Sequence, residues 1–104
     1  MPTTATVAKV GDIPPGESVV RTVAGKPVAV FNVGGTFYAL DDVCPHAGAS
    51  LADGEVTGLV VACPWHGWRF RLTDGAWADA PKGGVRVGCY AVEVVGDEVR
   101  VTVP

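Results

Sequence analysis

The chain has 104 residues, of which 48% are hydrophobic, and its 8 basic and 11 acidic residues give a net charge of −3. This length predicts one domain over residues 1–104, with no room for a separate substrate domain. No basic patch points to nucleic acid as a partner, and no apolar run reaches the roughly 20 residues that would span a membrane. The first residues lack the basic and apolar segments of a secretory leader, so we expect a soluble, cytoplasmic protein.

In chain order, the hydrophobic pattern predicts short strands separated by turns and shows no window of helical periodicity. The strongest signal is a hairpin around Gly34-Gly35, because glycine tolerates the positive φ angles of a tight turn. The predicted strands cover residues 19–23, 28–33, 36–40, 59–62, 68–72, 85–95 with a break at Gly88, and 98–103. This pattern favours an all-β sandwich or barrel.

Two segments pair a cysteine with a histidine: Cys44-Pro45-His46 and Cys63-Pro64-Trp65-His66. Sixteen residues lie between His46 and Cys63, and the chain has no other histidine. Two matched pairs suit a binuclear iron site in which one iron takes the sulfurs and the other takes the imidazoles. A structural zinc site is the alternative, although zinc ligands are usually spaced by two or more residues.

The complete pattern at these four positions resembles the Rieske-type ferredoxins, and the resemblance extends from about Val19 to Val103. It implies a small β-sandwich or barrel base with a cluster-binding subdomain at about 41–82, in which two loops carry the ligands. It also implies one [2Fe–2S] cluster, with Cys44 and Cys63 on the inner iron and His46 and His66 on the outer iron.

The chain departs from the high-potential Rieske proteins of respiratory complexes at four positions. Ala49 and Trp65 stand where those proteins carry two disulfide-forming cysteines, so that bridge cannot form. Trp68 and Phe70 stand where those proteins place serine and tyrosine hydroxyls near the cluster. With fewer hydrogen bonds to sulfur, the reduced cluster is less stabilised, which predicts a low potential of roughly −150 mV.

Three functions are compatible with these residues. The first is a low-potential Rieske ferredoxin that carries single electrons from a flavin reductase to a ring-hydroxylating oxygenase. The second is the small subunit of an assimilatory NAD(P)H nitrite reductase, a family that the two ligand segments also resemble. The third is a zinc-stapled interaction module. No activity is expected from the chain alone, because both histidines are committed and none is left for a mononuclear catalytic iron.

Further side chains near the ligand segments, a third cysteine, a proline and four acidic residues, are not ligands in this interpretation. Cys89 is expected to be a buried core thiol within a strand. In similar proteins a third loop that carries a proline covers the cluster, and Pro81 either has this role or belongs to a plain turn. Four acidic residues flank the first ligand segment, where they either steer a basic partner or solvate a loop: Asp41, Asp42, Asp53 and Glu55.

Overall fold

The computed structural model describes residues 2–44, 48–65, 68–80, 82 and 84–104. Within these residues the regular structure is almost entirely β, which confirms the predicted all-β class. No helix among them is long and apolar enough to cross a membrane. The nine strands are β1 Thr3–Lys9, β2 Ser18–Val23, β3 Lys26–Val33, β4 Thr36–Asp41, β5 Glu55–Thr57, β6 Val60–Ala62, β7 Arg69–Arg71, β8 Cys89–Val95 and β9 Glu98–Val103.

Six strands form the larger sheet in the order β1-β9-β8-β4-β3-β2, with every neighbouring pair antiparallel. The predicted hairpin is present between β3 and β4, where Gly34 and Gly35 have φ of 61° and 95°. The two edge strands of the sheet, β1 and β2, approach each other. The Nε of Arg21 on β2 donates to the Val7 carbonyl at 3.0 Å, at the point where β1 bulges. The sheet therefore curls into a partly closed barrel around its own apolar core.

Three short strands form the second sheet in the order β5-β6-β7. The register places Val61 opposite both Val56 and Phe70, so one face of this sheet turns its apolar side chains inward. These side chains share a second core with residues of the barrel strands β3 and β4, among them Phe31 and Leu40. The single-domain organisation and the limits of about 41–82 for a subdomain stay predictions, although the second sheet lies inside those limits.

A short 3₁₀ turn at Leu51–Asp53 joins the two sheets. Leu51 is fully buried in the second core, and the Ser18 Oγ on β2 donates to the Ala52 carbonyl at 2.7 Å. Gly54, which follows the turn, allows a very close approach of two backbones. A Cβ atom at this position would lie 2.0 Å from the Ala62 carbonyl oxygen on β6.

We expect the Gly54→Ala variant to be strongly destabilised, because the added methyl group meets backbone atoms that cannot rotate away. Overpacking of this kind costs about 1–3 kcal/mol, which corresponds to a melting temperature lower by roughly 4–8 °C per kcal/mol. Circular dichroism melting of the purified variant measures the effect. Gly11→Ala is the matched control, because a Cβ at Gly11 meets nothing within 4 Å. Equal melting temperatures for the two variants would contradict the expectation.

Candidate metal centre

Two of the predicted ligands, Cys44 and Cys63, are buried in the same apolar core. Their residues are 1% and 2% exposed, and both belong to the core shared by the two sheets. No disulfide joins any of the three cysteines, all of which lie within the described residues. The fold thus brings two buried thiols from separate segments into one core without a disulfide between them. The predicted ligands His46 and His66 lie outside the described residues.

The first ligand loop covers residues 44–49 and starts just after β4. An isolated antiparallel bridge pairs Val43 with Ser50 at its base. The Cys44 N–H donates to the Ala49 carbonyl at 2.9 Å, and the Gly48 N–H donates back to the Cys44 carbonyl at 2.8 Å. Gly48 has a φ of 75°, which only glycine adopts readily. These bonds join the two described ends of the loop.

The second ligand loop covers residues 63–68 and repeats this closure. Its base is the pair Ala62 and Arg69, which belongs to the β6–β7 ladder. The Cys63 N–H donates to the Trp68 carbonyl at 2.7 Å, again a bond from the cysteine to the residue five positions later. Both cysteines therefore stand at the first position of a loop closed by the same hydrogen bond, and each loop carries one histidine of the sequence motif.

This arrangement suits a [2Fe–2S] cluster in the part of the centre that the structure describes. The two buried thiols belong to the same apolar core as Leu51, Phe70 and Leu72, so a thiolate there has little access to water and gains from binding a metal ion. His46 and His66 lie outside the described residues. Within the described residues, no group of three or more His, Cys, Asp or Glu side chains could hold a metal ion. The assignment of Cys44, His46, Cys63 and His66 as the full ligand set stays a prediction.

The structure describes all four positions that distinguish this chain from the high-potential proteins. Ala49 is buried, whereas Trp65 is 70% exposed on the second loop. Phe70 is fully buried in the core that holds both cysteines, and it carries no hydroxyl. Trp68 stacks on Trp77 with ring centroids 4.4 Å apart and planes within 8° of parallel. No hydroxyl donor is therefore present at positions 68 and 70.

A third segment packs beside the second ligand loop. Trp77 forms an isolated antiparallel bridge with Phe70, and its backbone N–H donates to the Val85 carbonyl at 3.1 Å. Arg69 and Asp79 form an ion pair next to this bridge, and the hydrogen bond from Arg69 lowers the pKa of the Asp79 carboxyl. Pro81, for which a covering role and a plain turn were the two alternatives, lies outside the described residues.

The prediction for Cys89 is wrong, because this residue is exposed at the start of β8. The β-branched pattern around it indicated a strand correctly but could not show which face of the strand is covered. Its Sγ lies 3.5 Å from the Thr73 carbonyl oxygen. Partial burial of the sulfur, followed by the nearby charge of Asp74, raises the pKa of the thiol.

The flanking acidic residues divide into two groups that the sequence did not separate. Asp53 and Glu55 are exposed, as a solvated or steering role requires. Asp41 instead accepts hydrogen bonds from the Gly88 N–H and the Tyr90 hydroxyl. Burial of the Tyr90 hydroxyl, followed by its bond to Asp41, raises the pKa of Tyr90 to about 12. Asp42 is buried, and its carboxylate bonds to the chain beyond the first loop. These two residues are therefore structural.

Comparison with known proteins gives consistent relatives. Residues 3–95 match the family of the Rieske [2Fe-2S] domain. Ferredoxin CarAc of Metapseudomonas resinovorans is 41% identical over 96 residues, which are 91% of this chain and 89% of that protein. A chain in the solved complex of reduced oxygenase and oxidised ferredoxin of carbazole 1,9a-dioxygenase is 38% identical, with a TM-score of 0.85 over 95% of this chain and 92% of that chain.

A further solved structure represents the second predicted function. The proposed small subunit of an NADH-dependent nitrite reductase from Mycobacterium tuberculosis has a TM-score of 0.91 and 26% identity, covering 100% of this chain and 97% of that chain. Both kinds of relative share the fold, and the higher identity lies with the ferredoxins. With the family match extending over most of its length, the chain belongs to the Rieske [2Fe–2S] domain family.

Proposed function

We propose that this protein is a Rieske ferredoxin that receives single electrons from a flavin reductase and delivers them to a ring-hydroxylating oxygenase. The observation that carries the proposal is the 41% identity to a ferredoxin over nearly the full length of both proteins. A similar chain has been solved in a complex with an oxygenase, which supports an oxygenase as the electron acceptor. The cytoplasmic location stays a prediction.

Within this proposal, residues 41–82 form the cluster-binding subdomain of a single domain, and the four motif residues hold one [2Fe–2S] cluster. Cys44 and Cys63 would bind one iron, and His46 and His66 would bind the other. When bound, such a cluster stores one electron and releases it without making or breaking bonds of a substrate.

The protein contributes a fixed and largely dry environment. The two buried cysteines sit among apolar side chains, and their loops are closed by backbone hydrogen bonds at 2.9 and 2.7 Å. A rigid ligand frame changes little when the charge of the centre changes, which keeps the energetic cost of electron transfer low. The absence of hydroxyl donors at Trp68 and Phe70 leaves the added negative charge less stabilised, which supports a low potential.

The small subunit of a nitrite reductase is the second candidate. Its support is the close structural match to the M. tuberculosis protein, with a TM-score of 0.91. The ferredoxin function is favoured because the identity to ferredoxins is 41% and 38%, against 26% for that protein. A zinc-stapled module is disfavoured by the family match, which is to an iron–sulfur domain.

We expect the purified holo-protein to be reduced by a flavin-dependent ferredoxin reductase with NADH and to be reoxidised by a ring-hydroxylating oxygenase in the presence of its aromatic substrate. Stopped-flow absorbance of the cluster measures both half-reactions. To test the alternative, a nitrite reductase small subunit, the same measurement is made with the sirohaem-containing large subunit of a nitrite reductase and nitrite. Reoxidation or stable complex formation only with that subunit would reject the ferredoxin function.

We expect serine in place of Cys44 or Cys63, or alanine in place of His46 or His66, to abolish the visible absorption and the EPR signal of the reduced cluster. Each change removes or weakens one of the four proposed ligands, so the cluster should not be retained. Iron and sulfide analysis of the variants, purified in parallel with the wild type, gives the independent measurement.

Cys89→Ser is the control for this ligand set and should keep a full cluster. In the holo-protein, Cys89 should also be the cysteine that iodoacetamide alkylates, because it is exposed whereas Cys44 and Cys63 are buried. Since the pKa of the Cys89 thiol is raised, the labelling rate should keep rising with pH beyond the usual range of a cysteine. Loss of the cluster in Cys89→Ser would show that the ligand set is wrong.

We expect a midpoint potential of about −150 mV, near the lower end of the Rieske range. Potentiometric titration followed by EPR measures it, and a value above about +100 mV would contradict the expectation. Phe70→Tyr introduces a hydroxyl into the core that contains both cysteines and should raise the potential. Phe37→Tyr is the matched control, because Phe37 lies in the separate barrel core and its change should leave the potential unaltered.

A further inference from the structure

Asp42 is a buried carboxylate two residues before a proposed ligand. It is 6% exposed, and among the described residues only Asn32 is another buried polar side chain. A buried carboxylate is unfavourable unless hydrogen bonds compensate for its lost hydration. The hydrogen-bond partners of Asp42 therefore show which part of the structure its carboxylate stabilises.

Those partners lie on the far side of the first ligand loop. The Asp42 Oδ1 accepts from the Ser50 Oγ at 2.7 Å and from the Ala52 N–H at 3.0 Å. The Asp42 carbonyl also accepts from the Leu51 N–H at 2.6 Å. One residue thus binds three consecutive residues after the loop, while its own N–H donates to the Pro27 carbonyl of β3 at 3.0 Å.

The second ligand loop has no carboxylate at the corresponding sequence position. The residue two positions before Cys63 is Val61, which is fully buried and paired with Phe70. Three successive ladder pairs between β6 and β7 hold that loop, whereas the first loop stands on the single bridge between Val43 and Ser50. The hydrogen bonds of Asp42 hold the base of the first loop, as the β6–β7 ladder holds the base of the second loop.

We propose that Asp42 is a positioning residue that holds the first ligand loop, and with it Cys44 and His46, in place against the second loop. The inference rests on the proposed cluster ligands. Its consequence is that the acceptor oxygen of residue 42 controls how well the cluster is retained and how uniform its geometry is. The charge of the carboxylate is secondary, since two of the bonds need only an acceptor oxygen.

The test compares Asp42→Ala with Asp42→Asn in the holo-protein. Asparagine keeps an oxygen for Ser50 and Ala52, and alanine does not. We measure the rate at which the visible absorption bleaches in excess EDTA, together with the EPR line shape of the reduced protein. Asp42→Ala should bleach about tenfold faster, as the loss of about 1.4 kcal/mol would give, and should show broadened EPR lines. Asp42→Asn should stay within about twofold of the wild type.

Two further variants separate positioning from charge and from general stability. Asp53→Ala removes an exposed charge from the adjoining 3₁₀ turn and should bleach like the wild type. Tyr90→Phe removes the hydroxyl that donates to Asp41 in the barrel, and should lower the melting temperature without changing the EPR line shape.

If Asp42→Ala does not fold, Ser50→Ala, which removes one of the two carboxylate bonds, should bleach at an intermediate rate.

Wild-type bleaching and EPR in Asp42→Ala, or in Ser50→Ala when the former does not fold, would overturn the positioning role. An Asp42→Asn variant as labile as Asp42→Ala would also overturn it, because the charge would then be the controlling property. Failure of the proposed function is distinguishable, because in that case the wild-type protein itself carries no iron–sulfur spectrum.

Discussion

The centre depends on one repeated interaction, the hydrogen bond from the backbone of a cysteine to the carbonyl five residues later. In the first loop it joins Cys44 to Ala49, and in the second it joins Cys63 to Trp68. Each bond joins the two ends of a six-residue segment and fixes the cysteine at its first position. Since both cysteines are buried in the same core, the two segments start from a common interior, and a binuclear cluster can draw one ligand pair from each segment.

The two loops have the same closure but different supports. The second loop continues a three-stranded sheet, and the stacked pair of Trp68 and Trp77 packs beside it. The first loop has one bridge and depends on the buried carboxylate of Asp42. In the β6–β7 ladder several backbone hydrogen bonds share the stabilisation of the second loop. At the first loop the stabilisation depends on the side chain of one residue. Single substitutions should therefore disturb the first loop more easily than the second, even though both carry one cysteine and one histidine.

Much of this architecture was predictable from local patterns. Gly34-Gly35 between two apolar runs predicted the β3–β4 hairpin, which the structure confirms. The ligand set read from the spacing of cysteine and histidine stays a prediction. The strands β1 and β5 were missed for physical reasons: β1 is rich in threonine and alanine and gains stability from pairing with the distant β9, and β5 has only three residues. The exposure of Cys89 and the burial of Asp42 depend on which segments cover them, which no local pattern records.

The burial of the cysteines also limits where electrons can leave the protein. Both cysteines are almost completely buried in the core shared by the two sheets, so we expect electrons to reach a partner by way of the exposed residues of the ligand loops. Trp65 on the second loop is 70% exposed and adjacent in sequence to His66, so its apolar ring is available for contact with a partner. Together with the predicted low potential, this contact suits a carrier that gives up its electron readily and binds its partners transiently.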